Sequence, residues 1–417
     1  MSSEQSAQLP LRQFLGRQPV LLRYIAIRAA DELSAQMLSV AIGWYVYAAT
    51  HDPMSLAYVG LARFLPNISL VLIAGPASDR FDRRRITALA LIVQTLSAAV
   101  FTGLATAATP SVLPIYLLLI VSGAAQAFSF PAMSALLPRL VSADQFPRAV
   151  AIVSAVFQIC SLVGPAIGGL LYAASGPGMF ALAAALYFAA TVLAWRLTRV
   201  NLAASEPPME VSDKGLFAGF RYVRANRLLL ALISLDLFAV LLGGVTALLP
   251  IYAKDILAVG PAGLGALRCA PGIGAAIIGL VLAHRAIEGG AGKLMLLCVA
   301  GYGIGIVAFA ASANFWLSLA ALGAAGGFDM VSMVIRQTLV QTATPDAMRG
   351  RVSAVNGVFI GASSELGEFE SGMTAALFGT VPAALIGGIG TLLIVALWAR
   401  LFPEIRRADK LTGGTAA

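Results

Sequence analysis

Histidine, cysteine and charge are all scarce in this chain, and each shortage removes a class of function. The two histidines, His51 and His284, stand far apart, and neither has companions at a metal-ligand spacing. The three cysteines, Cys160, Cys269 and Cys298, all fall inside apolar runs, where they read as small core residues and not as redox or metal groups. No glycine-rich phosphate loop and no hydrolytic triad can be found, so neither direct nucleotide drive nor enzymatic catalysis is expected, and no cofactor. Only 12% of the 417 residues are charged, against about 25% in an average soluble domain. Roughly the first 18 residues are polar and lack a cleavage pattern, so no removed signal peptide is expected.

What the chain has in excess is apolar surface. Hydrophobic residues make up 59% of it, more than one soluble core of this size could cover. Twelve apolar runs can be marked off by the turns and charges between them. In the first half they fall near 21–48, 54–74, 86–107, 112–136, 148–172 and 179–198. In the second they fall near 228–252, 262–283, 293–312, 314–340, 352–377 and 381–401. Runs of ~20 residues suffice to cross a bilayer as helices, and 41 glycines suit close helix–helix approach in lipid. The expected fold is therefore an all-α membrane protein of twelve transmembrane helices in two six-helix bundles. Residues 1–198 form the first bundle and 228–417 the second with its tail. Between them, 199–227 carries Glu206-Pro207-Pro208 and then Phe217, Phe220 and Tyr222 among arginines. That pattern predicts a linker followed by an amphipathic interfacial helix.

The net charge of +8 is a topology signal, because the basic residues sit between apolar runs; no nucleic-acid partner is expected. Twenty-three of the 28 Lys and Arg lie in the two tails or the loops after spans 2, 4, 6, 8 and 10, while the other side has only Lys254. Both termini are thus expected in the cytoplasm. The remaining four, Arg28, Arg63, Arg268 and Arg336, fall within spans.

The halves also repeat. Arg63-Phe64-Leu65-Pro66 matches Arg268-Cys269-Ala270-Pro271 at an offset of 205 residues. Ser142-Ala143-Asp144 with Val156-Phe157 matches Thr344-Pro345-Asp346 with Val358-Phe359 at 202. Two matches at nearly one offset favour duplicated, pseudo-symmetric halves, the architecture from which alternating-access carriers are built.

The loop after span 2 reads Gly75-Pro-Ala-Ser-Asp79-Arg80-Phe-Asp82-Arg83-Arg84-Arg85. It resembles the signature loop of the major facilitator superfamily, Gly-x-x-x-Asp-Arg-x-x-Arg-Arg. The resemblance implies a gating latch on the cytoplasmic side built from Gly75, Asp79, Arg80, Arg83 and Arg84. The second half's version, His284-Arg285 followed by Glu288-Gly-Gly, is degenerate, and its latch is expected to be weaker or absent. Span 5 carries Gly164-Pro165-Ala-Ile-Gly168-Gly169, similar to the antiporter motif of the same superfamily with Cys160 in place of its first glycine. A kinked, tightly packed helix without directional meaning would account for the same residues. Span 7 (Leu235 to Pro250), the stretch from Asp329 to Arg336, and Arg349 through Glu370 resemble a narrower branch of bacterial drug-efflux proteins. That branch includes the macrolide efflux proteins and the enterobactin exporter. The resemblance implies export across the bacterial cytoplasmic membrane, driven by the proton gradient.

Charges inside the spans cost at least ~2.5 kcal/mol each at the bilayer centre, so they should face protein or water. Asp31 and Glu32 in span 1 lie a turn from Arg28, which can neutralise one in an intrahelical bridge and leave the other to titrate. Glu365, Glu368 and Glu370 in span 11 and Asp329 in span 10 are further candidates for carrying protons or binding a cationic substrate; mutual neutralisation would explain them equally. Arg336 could pair with span 11 or span 1, and Asp236 with Arg63 or Arg268. Those two arginines stand three residues before prolines and could instead bond carbonyls freed by the kinks.

The function expected is proton-coupled export of small amphipathic, drug-like molecules by a monomer embedded in the bilayer. A dedicated exporter of a siderophore, metabolite or lysolipid is the alternative, and a non-transporting membrane sensor a third.

Overall fold

The computed structural model describes residues 11–107, 111–142, 144–198, 214–285 and 289–408. Among the described residues every regular element is helical. The long helices are α1 (Pro19–Thr50), α2 (Pro53–Arg80), α3 (Arg83–Thr106), α4 (Leu113–Leu136), α5 (Phe146–Ser175), α6 (Gly178–Thr198), α7 (Arg227–Gly243), α8 (Gly260–His284), α9 (Ala291–Ala310), α10 (Phe315–Thr342), α11 (Asp346–Phe378) and α12 (Thr380–Leu401). Within α2 the side chains of Gly75 and Asp79 lie outside the described residues, as do the linker residues Glu206, Pro207 and Pro208 and the loop residue Glu288.

Among the described residues, nine segments are long and apolar enough to cross a membrane. The others, α1, α2 and α11, are as long (32, 28 and 33 residues), and they carry Arg28, Asp31, Glu32, Arg63, Glu365, Glu368 and Glu370 within them. Local signals set the ends. Asp82, Asn226 and Asn314 cap α3, α7 and α10 by accepting from backbone N–H groups of the first turn. Gly176 (φ +53°) and Gly379 (φ +91°) stop α5 and α11 in backbone conformations that favour glycine.

The chain divides into two compact units. One comprises residues up to Thr50, Ala62–Pro207 and Gly260–Gly265; the other comprises His51–Leu61, Pro208–Val259 and Ala266 onward. The first turns of α2 thus belong to the second unit, and those of α8 to the first. In the first unit α1 packs along α5 and α6, and α3 along α4 and α6. In the second, α7 packs along α11 and α12, and α9 along α10 and α12. The pairings correspond one to one when six is added to each helix number. The amphipathic helix after the linker, Lys214–Ala225, packs on α11: a Cβ at Gly219 would stand 2.8 Å from the Arg351 carbonyl oxygen. Phe220 stacks on Phe359 at 6.4 Å, and Val223 joins the core around α7, α9 and α10.

Span 7 is not the continuous helix expected from 228–252. It breaks after Gly243-Gly244 and resumes as a 3₁₀ turn (Thr246–Leu248), a short turn at Leu249–Ile251 and a π turn (Tyr252–Ile256). At Gly243 a Cβ would meet the Tyr302 ring at 2.7 Å and the Thr391 hydroxyl at 2.8 Å, so only glycine fits. Carbonyls freed by the break need partners away from water, and hydroxyls supply them. Tyr302 donates to the Gly243 oxygen at 2.9 Å, and Ser371 to that of Gly244 at 2.5 Å.

Candidate functional site

Three places hold the residues singled out by the sequence. The first is the signature loop. Arg83, 7% exposed, reaches across to α4 and donates to the Ala135 carbonyl at 3.1 Å. Arg84 closes a fork on Asp82, through Nε (3.0 Å) and Nη2 (2.9 Å), while the Arg84 amide also donates to Asp82 Oδ1. Arg80 and Arg85 are exposed. Asp82 is therefore the organising carboxylate among the described residues, a role that the sequence reading did not give it. Its position immediately before the first residue of α3 was the available signal. Burial alone would raise the Asp82 carboxyl, but the Arg84 hydrogen bonds and the charges of Arg84 and Arg85 hold it below the usual carboxylate range. Asp82→Ala should lower thermal stability by about 1 kcal/mol through the lost cap, and Asp82→Asn should keep most of it. Because the folded pKa is depressed, this contribution is present above the ordinary carboxylate range and fades on acidification through it. Melting curves of the variants near neutral and at low pH test both statements.

The second place lies in the first unit, where the antiporter-like motif packs on span 1 close to its two acids. Gly164 and Gly168 of α5 turn onto α1: added Cβ atoms would stand 2.6 Å from Gln36 Cβ and 2.7 Å from Met37 Cα. Gly169 faces the start of α8, 2.4 Å from the Pro261 oxygen by the same measure. Pro165 is buried between these glycines. This close approach brings Ser161, one turn earlier on α5, to Glu32, whose Oε1 accepts from the Ser161 hydroxyl at 2.5 Å and from Gln36 Nε2 at 2.8 Å. Asp31, beside it, has no hydrogen-bond or ion-pair partner among the described residues, and it interacts with Arg28 and Glu32 only through space. The expected intrahelical bridge does not form. Arg28 instead lays its guanidinium over the Phe157 ring, 5.3 Å from the centroid, a cation–π contact that needs no carboxylate. Arg63 donates to the Ser39 hydroxyl at 3.4 Å. Asp31, Glu32 and Arg63 all lie within electrostatic reach of buried Tyr187.

The third place lies in the second unit. Asp236 of α7 and Arg336 of α10 form a buried ion pair, 7% and 5% exposed. This corrects two expectations: Asp236 pairs with neither Arg63 nor Arg268, and Arg336 with neither span 1 nor span 11. The pairing follows from α7 lying against α10. Arg336 Nε is buried without a hydrogen-bond partner. Asp329, seven residues earlier on α10, is exposed although it stands in the middle of a 28-residue helix. It lies within electrostatic reach of Tyr302, the residue that seals the α7 break, and of Asp236 and Arg336. On α11, Glu370 accepts from Thr374 at 2.9 Å and from Ser371. The Glu368 Cβ would lie 3.1 Å from a Cβ on Gly60 of α2, and Glu365 is half-buried. Arg268 is also half-buried, on α8. His51 does have a companion: Lys254 Nζ lies 2.9 Å from its Nε2. Among the described residues no His, Cys, Asp and Glu cluster could hold a metal ion.

Long helices packed in corresponding patterns in the two units, with ionisable groups at mid-span, are the architecture of a multi-pass membrane protein. The chain belongs to the transmembrane secretion effector family of the major facilitator superfamily, whose family model matches residues 17–412. Among curated proteins it is 30% identical over 398 residues to the enterobactin exporter EntS of Escherichia coli O139:H28, covering 93% of this chain and 91% of that one. The same identity and coverage hold for the Escherichia fergusonii protein of that name. Solved structures share the fold at low identity. A peptide transporter POT in complex with sulfate superposes at a TM-score of 0.72, with 14% identity over 99% of this chain and all of the other. A bacterial homolog to the human lysosomal transporter Spinster superposes at 0.72, with 14% identity over 96% of this chain and 99% of the other. The protein is a membrane transporter of the efflux type.

Proposed function

We propose that this transporter exports small amphipathic molecules from the bacterial cytoplasm in exchange for protons, by alternating access. One observation supports the coupling above others. The glycines of the antiporter-like motif bring α5 against α1 at Gln36 and Met37, and Ser161 of α5 holds Glu32, the neighbour of Asp31. A carboxylate gripped by the moving partner helix titrates differently when the helices part, because both its hydrogen bonds and its access to water change. Asp31, without a partner, is the proton carrier in this reading. Glu32 senses the helix contact, and Asp329, exposed at mid-span, faces the aqueous path. Both termini lie in the cytoplasm, as the distribution of Lys and Arg requires, and the working unit is a monomer.

A second reading, a dedicated siderophore exporter, is favoured by the 30% identity to the enterobactin exporter across nearly the whole of both chains. Ligand-induced thermal stabilisation of the purified protein at pH 6 and pH 8, across cationic drugs, siderophores and lysolipids, separates the two. Stabilisation by several amphiphiles, stronger at pH 8 where protons compete less, is the expected result. Stabilisation by siderophores alone would replace the first reading with the second.

A further inference from the structure

In the second unit, α8, α9 and α10 enclose an apolar groove of about 640 Å³ that the transport reading leaves unused. Its origin is the crossing of α8 and α10, where backbones touch: a Cβ on Gly274 would stand 1.8 Å from the Gly323 oxygen. The groove lies beside that crossing, with Leu294 and Cys298 of α9 among its walls. The opening is lined by Ile273, Ile277, Val281, Cys298, Ala324 and Phe328, with no charged residue among its walls. Along α8 it runs from Ala270 to Leu282, about 18 Å at the helical rise. That is close to one leaflet's share of a hydrocarbon core ~30 Å thick.

Among the described residues, the charges next to one end of the groove are basic. Val281 and Leu282 of α8 and Leu294 of α9 line that end; Arg285 comes three residues after Leu282, and Lys293 immediately precedes Leu294. Both cations are exposed, and neither has an acid within ion-pair distance among the described residues. His284, exposed beside them, is held by its Nδ1 to the Leu280 oxygen at 2.8 Å. An apolar channel one leaflet long that ends beside two exposed cations, neither ion-paired among the described residues, complements one kind of molecule: an acyl chain carrying an anionic head.

We propose that this groove is a binding site for an anionic phospholipid, one chain lying along Ile273, Ile277 and Phe328 and the head group held by Arg285 and Lys293. The site rests on the protein being embedded in a bilayer and is independent of proton coupling. Binding of dioleoyl phosphatidylglycerol and dioleoyl phosphatidylcholine to the full-length protein in detergent can be followed by native mass spectrometry. The wild type should prefer phosphatidylglycerol. Arg285→Ala with Lys293→Ala should weaken phosphatidylglycerol binding by about fivefold per cation, hence roughly 25-fold together, leaving phosphatidylcholine unchanged. Ala324→Phe, which fills the groove from an exposed position, should weaken both lipids. Arg285→Lys with Lys293→Arg, which keeps the charge, should retain the preference and guards against a folding artefact. Equal binding of the two lipids to the wild type, or a preference that survives the double alanine change, would overturn the proposal.

Discussion

Asp31→Asn is expected to abolish proton-gradient-driven uptake into inside-out vesicles while leaving the protein folded and able to bind its substrate. The argument starts from what Asp31 lacks. No hydrogen bond or ion pair holds its carboxylate among the described residues, and Arg28, its nearest cation along the helix, is engaged with Phe157. The isosteric amide therefore removes a titratable group without breaking a contact, and the melting temperature should move little. A carrier whose cycle no longer binds a proton can still shuttle substrate between equal pools, so exchange of labelled for unlabelled substrate should persist. Glu32→Gln should behave differently. Its oxygen can still accept from Ser161 and Gln36, so the contact between α1 and α5 survives and transport should fall only in part. Loss of exchange together with gradient-driven uptake in Asp31→Asn would assign the residue to substrate binding.

The second large effect is on stability. Asp236→Ala should cost about 3–5 kcal/mol, because it leaves the Arg336 guanidinium buried and uncompensated. Arg336 is poorly placed to tolerate this: its Nε already lacks a partner, and it is only 5% exposed. Removing both charges should restore most of the loss, since burying two ions offsets much of what their attraction contributes. The combined variant Asp236→Leu with Arg336→Met should therefore melt within a few degrees of the wild type. Thermal melts of the two single variants and the double variant measure the coupling directly. If Asp236→Ala melted like the wild type, the pair would contribute nothing to the fold of the second unit.

Much of this was legible in the sequence for physical reasons. Runs of apolar residues between basic loops admit little but membrane helices, and the spacing of Gly75 to Arg84 carries the superfamily's signature without reference to coordinates. Gly164, Gly168 and Gly169 could be named as a packing motif because only residues without a Cβ allow such approach. What they pack against could not be read. That Ser161 lands on Glu32, and that Arg28 prefers Phe157 to either acid, depend on the rotation of α5 about its axis, which no residue spacing encodes. The Asp236–Arg336 pair was missed for a similar reason: the two residues are 100 apart in sequence, and their pairing is set by the approach of α7 to α10. The break in α7 had a local signal, Gly243-Gly244 with Pro250 beyond, that the strength of the apolar run concealed.

Proton movement in proteoliposomes bears most directly on the central claim. With a pH-sensitive dye trapped inside and no imposed gradient, addition of substrate should change the internal pH for the wild type and leave it unchanged for Asp31→Asn at equal protein incorporation. A substrate-induced proton flux of the same size in Asp31→Asn would contradict the assignment of coupling to the α1–α5 site, and substrate transport by the wild type without proton flux would contradict proton coupling itself.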